Sequence, residues 1–138
     1  MLEKKIKFTD YNGVEREQTF QFNLNKQELM TMELGTTGGY TEMLKTIINT
    51  QDTPTLMEVF ERFILKSYGR KSADGMRFEK SEQLSQEFKQ TEAYSELFME
   101  LLTSDDAAAK FINGVVPKEV AAQIDIKEVE KQLKDGTL

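Results

Sequence analysis

The side chains that could carry out chemistry in this chain are carboxylates, lysines, serines and tyrosines, because it contains no histidine and no cysteine. Histidine is the usual general base near neutral pH, cysteine is the usual nucleophile, and the two supply most structural zinc ligands. Their absence removes the common hydrolase, thiol and zinc-site mechanisms. We therefore expect no catalytic, cofactor-binding or metal site, and we interpret the chain as a binding protein rather than an enzyme.

Three short motifs come closest to a recognisable site, and each has a structural explanation. Asp105-Asp106 stands at the start of a helical pattern, where acidic side chains complement the helix dipole. The stretch 36–39, rich in glycine, lacks the lysine and the glycine spacing of a phosphate loop. The sequence around Asp74 lacks the acidic ladder of a calcium loop. A catalytic set of serine, lysine and glutamate assembled from distant segments would leave no motif.

The charge and hydrophobicity of the chain argue against two classes of binding partner, nucleic acids and membranes. The 138 residues carry a net charge of −6, and the basic residues are scattered, whereas nucleic-acid binding normally requires a basic face. No run of apolar residues is long enough to span a membrane, and the N-terminus lacks the apolar core of a signal peptide. We expect a protein of the cytoplasm that binds neither nucleic acid nor a membrane.

The first 24 residues predict a β-hairpin, because apolar residues alternate with polar ones on both sides of a turn. The apolar residues of both predicted strands, from Ile6 to Phe8 and from Val14 to Leu24, have even numbers. They share one face only if paired positions sum to an even number. A loop of three residues, 11–13, satisfies this condition and places Gly13 at the left-handed position of a G1 bulge.

The rest of the chain predicts helices, so the expected fold is α+β: an N-terminal β-hairpin followed by a bundle of six or seven short helices. Capping residues precede apolar residues at helical spacing. Helix-start signals lie near Asn25, Tyr40, Thr53, Ser81, Thr91 and Ser104, and two more, near Pro117 and Asp125, lie towards the C-terminus. Gly69 and Gly114 are the expected ends of two of the helices.

Residues 69–81 form the longest irregular stretch and the densest positive one. Arg70, Lys71 and Arg77 lie within it. A solvated loop is the simpler interpretation, and a docking loop for an acidic partner surface is the functional one, because long loops in compact domains are often functional.

The C-terminal segment 118–138 predicts a weakly amphipathic helical tail attached to a domain of residues 1–117. Its apolar residues are sparse, and such a stripe does not stabilise an isolated helix. It either packs on its own domain or waits for a partner. The candidate partner-binding residues here are Val120, Ile124, Val129 and Leu133.

Several stretches resemble the tail assembly chaperones of siphophages that infect Gram-positive bacteria. The resemblance covers residues 2–117 and includes no single diagnostic motif. It rests on Asp10-Tyr11-Asn12-Gly13-Val14-Glu15-Arg16, Asn25-Lys26-Gln27-Glu28-Leu29-Met30, Thr37-Gly38-Gly39, Gln51-Asp52-Thr53-Pro54, Lys66-Ser67-Tyr68-Gly69, Lys71-Ser72-Ala73-Asp74-Gly75, Arg77-Phe78, Thr91-Glu92-Ala93-Tyr94 and Ala107-Ala108-Ala109-Lys110-Phe111-Ile112-Asn113-Gly114.

The resemblance implies a non-catalytic role in the host cytoplasm. Such chaperones bind the long, helical tape measure protein, keep it soluble until the tail tube polymerises around it, and are absent from the finished virion. A longer form made by ribosomal slippage recruits tail-tube subunits, and a homo-oligomer is possible. The alternatives are a structural tail or connector protein retained in the virion, and an acidic inhibitor that mimics nucleic acid.

The genetic code limits where a minus-one slip could occur. After Ser104, a slippery heptamer is compatible only with Val116-Pro117-Lys118, and it requires a valine codon GTC followed by a proline codon CCA. Residues after Lys118 would then belong to the short form alone.

Overall fold

The computed structural model describes residues 1–31 and 53–118, and in this part the α+β class and the N-terminal hairpin are confirmed. Four strands form one antiparallel sheet in the order β1-β2-β3-β4. In chain order the elements are β1 (Leu2–Thr9), β2 (Glu15–Phe22), α1 (Lys26–Thr31), α2 (Thr53–Ser67), β3 (Tyr68–Lys71), β4 (Phe78–Glu79), α3 (Glu82–Lys89), α4 (Glu92–Thr103) and α5 (Asp105–Val115).

The register of the first hairpin is the predicted one. Leu2 pairs with Phe22 and Thr9 with Glu15, so every pair sums to an even number. The N–H of Asp10 donates to the carbonyl of Val14 at 2.9 Å, and this pair closes the three-residue loop. Gly13 has a φ of +78°, as the G1 bulge requires. Val14 is exposed, so it does not join the apolar face as expected.

A second hairpin occupies the stretch expected to be irregular. The chain leaves α2 directly into β3, which pairs with β2, and β4 folds back onto β3. Gly69 is therefore a strand residue and does not end a helix as predicted. A Cβ at this position would lie 2.5 Å from the Phe78 ring and 2.6 Å from the carbonyl oxygen of Glu79. Glycine is needed here because the ring and backbone of β4 cover it.

The core lies between one face of the sheet and the helices. Phe22 is fully buried, and its ring meets those of Tyr68, Phe88 and Phe111 at centroid distances of 5.8, 5.8 and 5.1 Å. These partners come from β3, α3 and α5, so one strand residue joins three elements. The opposite face of the sheet carries mostly exposed polar side chains, as is common for antiparallel sheets.

The predicted helix caps are confirmed at four positions. Ser81, Thr91 and Ser104 each accept a hydrogen bond from the N–H three residues further on. Asn25 and Glu28 form the reciprocal capping box at the start of α1, at 2.8 and 3.0 Å.

Gly114 was expected to end a helix but lies inside the last turn of α5. A Cβ there would meet the Leu2 side chain at 3.1 Å. This glycine therefore allows α5 to pack closely on the start of β1.

Five helices lie in the described part of the chain, whereas six or seven were expected over its whole length. The expected helix beginning near Tyr40 lies outside the described residues, and so does the tail beyond Lys118.

Candidate partner-binding surface

The tip of the β3–β4 hairpin is a closed turn with a defined hydrogen-bond pattern. The N–H of Ser72 donates to the carbonyl of Arg77 at 2.8 Å, and the N–H of Gly75 donates to the carbonyl of Ser72 at 2.9 Å. Gly75 has a φ of +75°, which favours glycine. The stretch containing the candidate residues is thus a folded hairpin rather than an irregular loop.

Asp74 holds the inside of this turn. Its Oδ1 accepts from the Ser72 hydroxyl at 2.6 Å and from the N–H of Met76 at 3.0 Å, while the Ser72 Oγ accepts from the N–H of Arg77 at 3.0 Å. The hydrogen bond from Ser72 is the main reason why the pKa of Asp74 lies below its usual value. The carboxylate therefore stabilises the turn in its ionised form.

The three candidate basic residues lie on this hairpin but do not share one face. Arg70 pairs with Glu79 and Lys71 with Phe78, so their side chains point to opposite sides of the sheet. The pair formed by Ser72 and Arg77 continues this register and places Arg77 on the same face as Arg70. The structure thus groups Arg70 with Arg77 and separates them from Lys71.

The charges at the tip are open to solvent. Arg70, Lys71 and Arg77 are exposed, and none forms an ion pair within the described residues. Met76 stands beside Arg77 with 82% of its surface exposed. We define these four residues as the β3–β4 tip, which has Arg70 and Arg77 on one face, Lys71 on the other and an exposed methionine beside Arg77.

Sequence reasoning missed Met76, because it lies outside any periodic apolar pattern. The available signal was a methionine directly following the Asp74-Gly75 turn dipeptide, where a polar side chain is more common.

Lys80 connects the base of the hairpin to three neighbouring elements, the end of β2, α1 and the end of α2. Its ammonium donates to the carbonyls of Asn23 at 2.6 Å and Lys66 at 2.9 Å, and it forms an ion pair with Glu28. Burial lowers the pKa of Lys80, although the Glu28 carboxylate acts in the opposite direction. The sequence analysis also missed the linking role of Lys80, because a lysine at the end of a charged stretch gives no signal that it is partly buried.

The four candidate residues of the tail, Val120, Ile124, Val129 and Leu133, lie outside the described residues. In residues 1–31 and 53–118, no group of acidic side chains is arranged to hold a metal ion. No helix of that same part is long and apolar enough to cross a membrane.

Comparison with models of known protein families gives a match. Residues 1–137 match the model of a family described as phage tail assembly chaperone. The match spans almost the whole chain, including the segments outside the described residues. Neither curated proteins nor solved structures gave a match.

Proposed function

The chain belongs to the phage tail assembly chaperone family, and we propose that it binds the tape measure protein of a siphophage in the host cytoplasm. On this proposal it keeps that long helical protein soluble before the tail tube forms, and it acts without catalysis. The observation that carries the proposal is the family match over residues 1–137.

The β3–β4 tip is the part of the described surface that we assign to this binding. Arg70 and Arg77 are exposed and form no ion pair within the described part of the chain, and Met76 offers an adaptable apolar contact of the kind used at surfaces that accept varied partners. The complementary partner is an acidic amphipathic helix. Exposed charges of this kind are solvated and give modest affinity, which suits a chaperone that must later release its client.

We further propose that a longer, frameshifted form recruits tail-tube subunits. Val116 is the last buried residue of the described core, and α5 ends at Val115. A slip at Pro117-Lys118 would therefore leave the hairpins and helices α1 to α5 common to both forms. The gene sequence tests this point, because any proline codon other than CCA at position 117 excludes the slip.

Co-expression with the tape measure protein tests the binding role. We expect this chain to raise the soluble fraction of the tape measure protein, and the double variant Arg70→Gln/Arg77→Gln to lose most of that effect. The matched control is Lys89→Gln/Lys110→Gln, which also removes two positive charges, but from exposed positions on helices away from the tip. Equal solubilisation by both double variants would reject the tip as the binding surface.

Mass spectrometry of purified particles tests the chaperone role against that of a structural tail or connector protein. We expect peptides of this chain in infected-cell lysates and none at stoichiometric level in mature virions. A chain retained in the particle would contradict the proposed function whatever the solubility assay shows.

A further inference from the structure

Among residues 1–31 and 53–118, no strand pairs with the outer edge of β1, which is eight residues long. β1 is the terminal strand of the sheet formed by the described residues, with β2 on its other side. Because Asp10 and Val14 form a hydrogen-bonded pair, the alternating ladder directs the backbone groups of even-numbered residues towards β2. The N–H and C=O groups of Glu3, Lys5, Lys7 and Thr9 therefore point outwards, and these four residues are exposed.

We propose that this edge pairs with β1 of a second copy of this chain, in an antiparallel arrangement with Lys5 on the two-fold axis. The numbers of two residues that lie opposite each other then add up to ten. Within β1 this register aligns residues 2–8 of both chains. It forms about six inter-chain hydrogen bonds, two for each hydrogen-bonded pair around the axis.

The side chains of β1 are self-complementary in this register. Glu3 lies opposite Lys7 of the second copy on the exposed face, and the symmetry repeats this opposite-charge pair. On the other face Leu2 lies opposite Phe8 of the second copy, and both are partly buried residues packed against the core. Cross-strand charge pairs and apolar pairs both favour strand association.

The lysines of the edge do not prevent this pairing. Edge lysines commonly discourage strand addition, and Lys5 would face Lys5 of the second copy. However, the ammonium groups of Lys5 and Lys7 each lie 3.5 Å from a carboxylate oxygen of Glu17 on β2. Glu17 partly neutralises both charges, which weakens the repulsion between the two Lys5 side chains, while Lys7 still lies opposite Glu3 of the second copy.

Backbone substitution at Lys5 tests the proposal in the full-length chain. We expect a monomer–dimer equilibrium by analytical ultracentrifugation, with a Kd on the order of tens of micromolar because one strand gives a small interface. Lys5→Pro removes an outward N–H without touching the β1–β2 ladder, so we expect it to abolish the dimer and keep the circular dichroism spectrum. Lys5→Ala, which keeps the N–H, should dimerise at least as well as the parent chain.

Charge exchange tests the register even if Lys5→Pro unfolds the chain. Glu3→Lys places two like-charged pairs in the interface and should weaken dimerisation roughly five- to tenfold. Adding Lys7→Glu to Glu3→Lys restores opposite charges and should return the Kd to within about twofold of the parent value. Failure of the double variant to recover would overturn this register.

Spin labels measure the register directly, because the chain has no native cysteine. Labels at Lys5→Cys should be closest, on backbones about 5.5 Å apart. Labels at Thr9→Cys should lie on backbones roughly 27 Å apart. A chain that stays monomeric at about ten times the expected Kd, or a dimer that Lys5→Pro leaves intact, would reject the proposal.

Discussion

Lys80 illustrates how one side chain can link three separate stretches of backbone. Its ammonium reaches the end of β2, the first turn of α1 and the end of α2, and only 21% of the side chain is exposed. Removing it leaves two carbonyls and a carboxylate without their shared donor. The acceptors at Asn23 and Glu28 are partly buried, so the loss of their donor costs more than it would for the same groups in water.

We expect Lys80→Met to lower the free energy of unfolding by about 1–3 kcal/mol, because methionine keeps the apolar stem but donates no hydrogen bond. Lys89→Met is the matched control. Lys89 pairs with Glu61 in solvent, with both side chains about 40% exposed, and its loss should cost less than about 1 kcal/mol. Urea denaturation followed by circular dichroism measures both values, and equal losses would show that the Lys80 contacts do not stabilise the fold.

Asp10 and Asp74 predict a loss of stability in acid. Hydrogen bonds from Arg16 and Ser72 respectively are the main reasons why the pKa of each carboxyl lies below the ordinary value of 3.8. A lowered folded-state pKa means that the contribution to stability is fully present above about pH 4. It is lost as the pH falls through the folded-state pKa.

We expect the double variant Asp10→Asn/Asp74→Asn to lose less stability than the parent chain between pH 5 and pH 2. NMR titration of the two carboxyl groups in the parent chain should give midpoints below 3.8. Midpoints at or above that value would show that the turn hydrogen bonds do not favour the ionised carboxylates.

At the scale of elements, the turns of the two hairpins are built in the same way, but the sequence analysis predicted only the first hairpin. In each, an aspartate accepts backbone hydrogen bonds inside the turn and a glycine takes a positive φ. The first hairpin was predictable because its strands are eight residues long and alternate clearly. β3 and β4 have four and two residues, too few for a periodic signal. They form because β2 offers an edge to β3, and β3 offers one to β4.

The close contact at Gly69 leads to a prediction about β3 and β4. We expect Gly69→Ala to lower the free energy of unfolding by about 1–3 kcal/mol, because the added methyl meets a backbone carbonyl that cannot move alone. Thermal unfolding measures the change.

Gly114→Ala serves as the control for this prediction. The added methyl there meets only the movable end of Leu2, and alanine favours the helix, so the two effects offset to within about 1 kcal/mol. A Gly69→Ala variant as stable as the parent chain would show that β4 does not pack over β3 as described.

At the scale of the whole molecule, α5 completes the described core by packing against its other elements. Phe111 contacts Phe22 and Phe63, and the N–H of Leu24 donates to the carbonyl of Val115 at 3.2 Å. The last helix of the described part therefore packs on the first hairpin, which makes the fold dependent on contacts between distant parts of the sequence.

This closure leads to a prediction about the proposed domain boundary at residue 117. A chain stopped after Pro117 should unfold cooperatively, with a Tm within about 4–8 °C of the full-length value. A shift of that size corresponds to a change of about 1 kcal/mol in the free energy of unfolding. A chain stopped after Thr103 lacks α5 and should not unfold cooperatively. Circular dichroism melting distinguishes the two, and a truncated chain 1–117 without a cooperative transition would refute the boundary.

The sequence alone determined the features that depend on neighbouring residues. Parity of the apolar positions set the register of the first hairpin, and the order of capping residues and apolar spacing located the helices. The tertiary structure decided the rest, because it depends on contacts between residues far apart in the chain. The strand role of Gly69, the burial of Lys80 and the position of Arg70 with Arg77 on one face of the β3–β4 tip all follow from pairing and packing partners that no local pattern reveals.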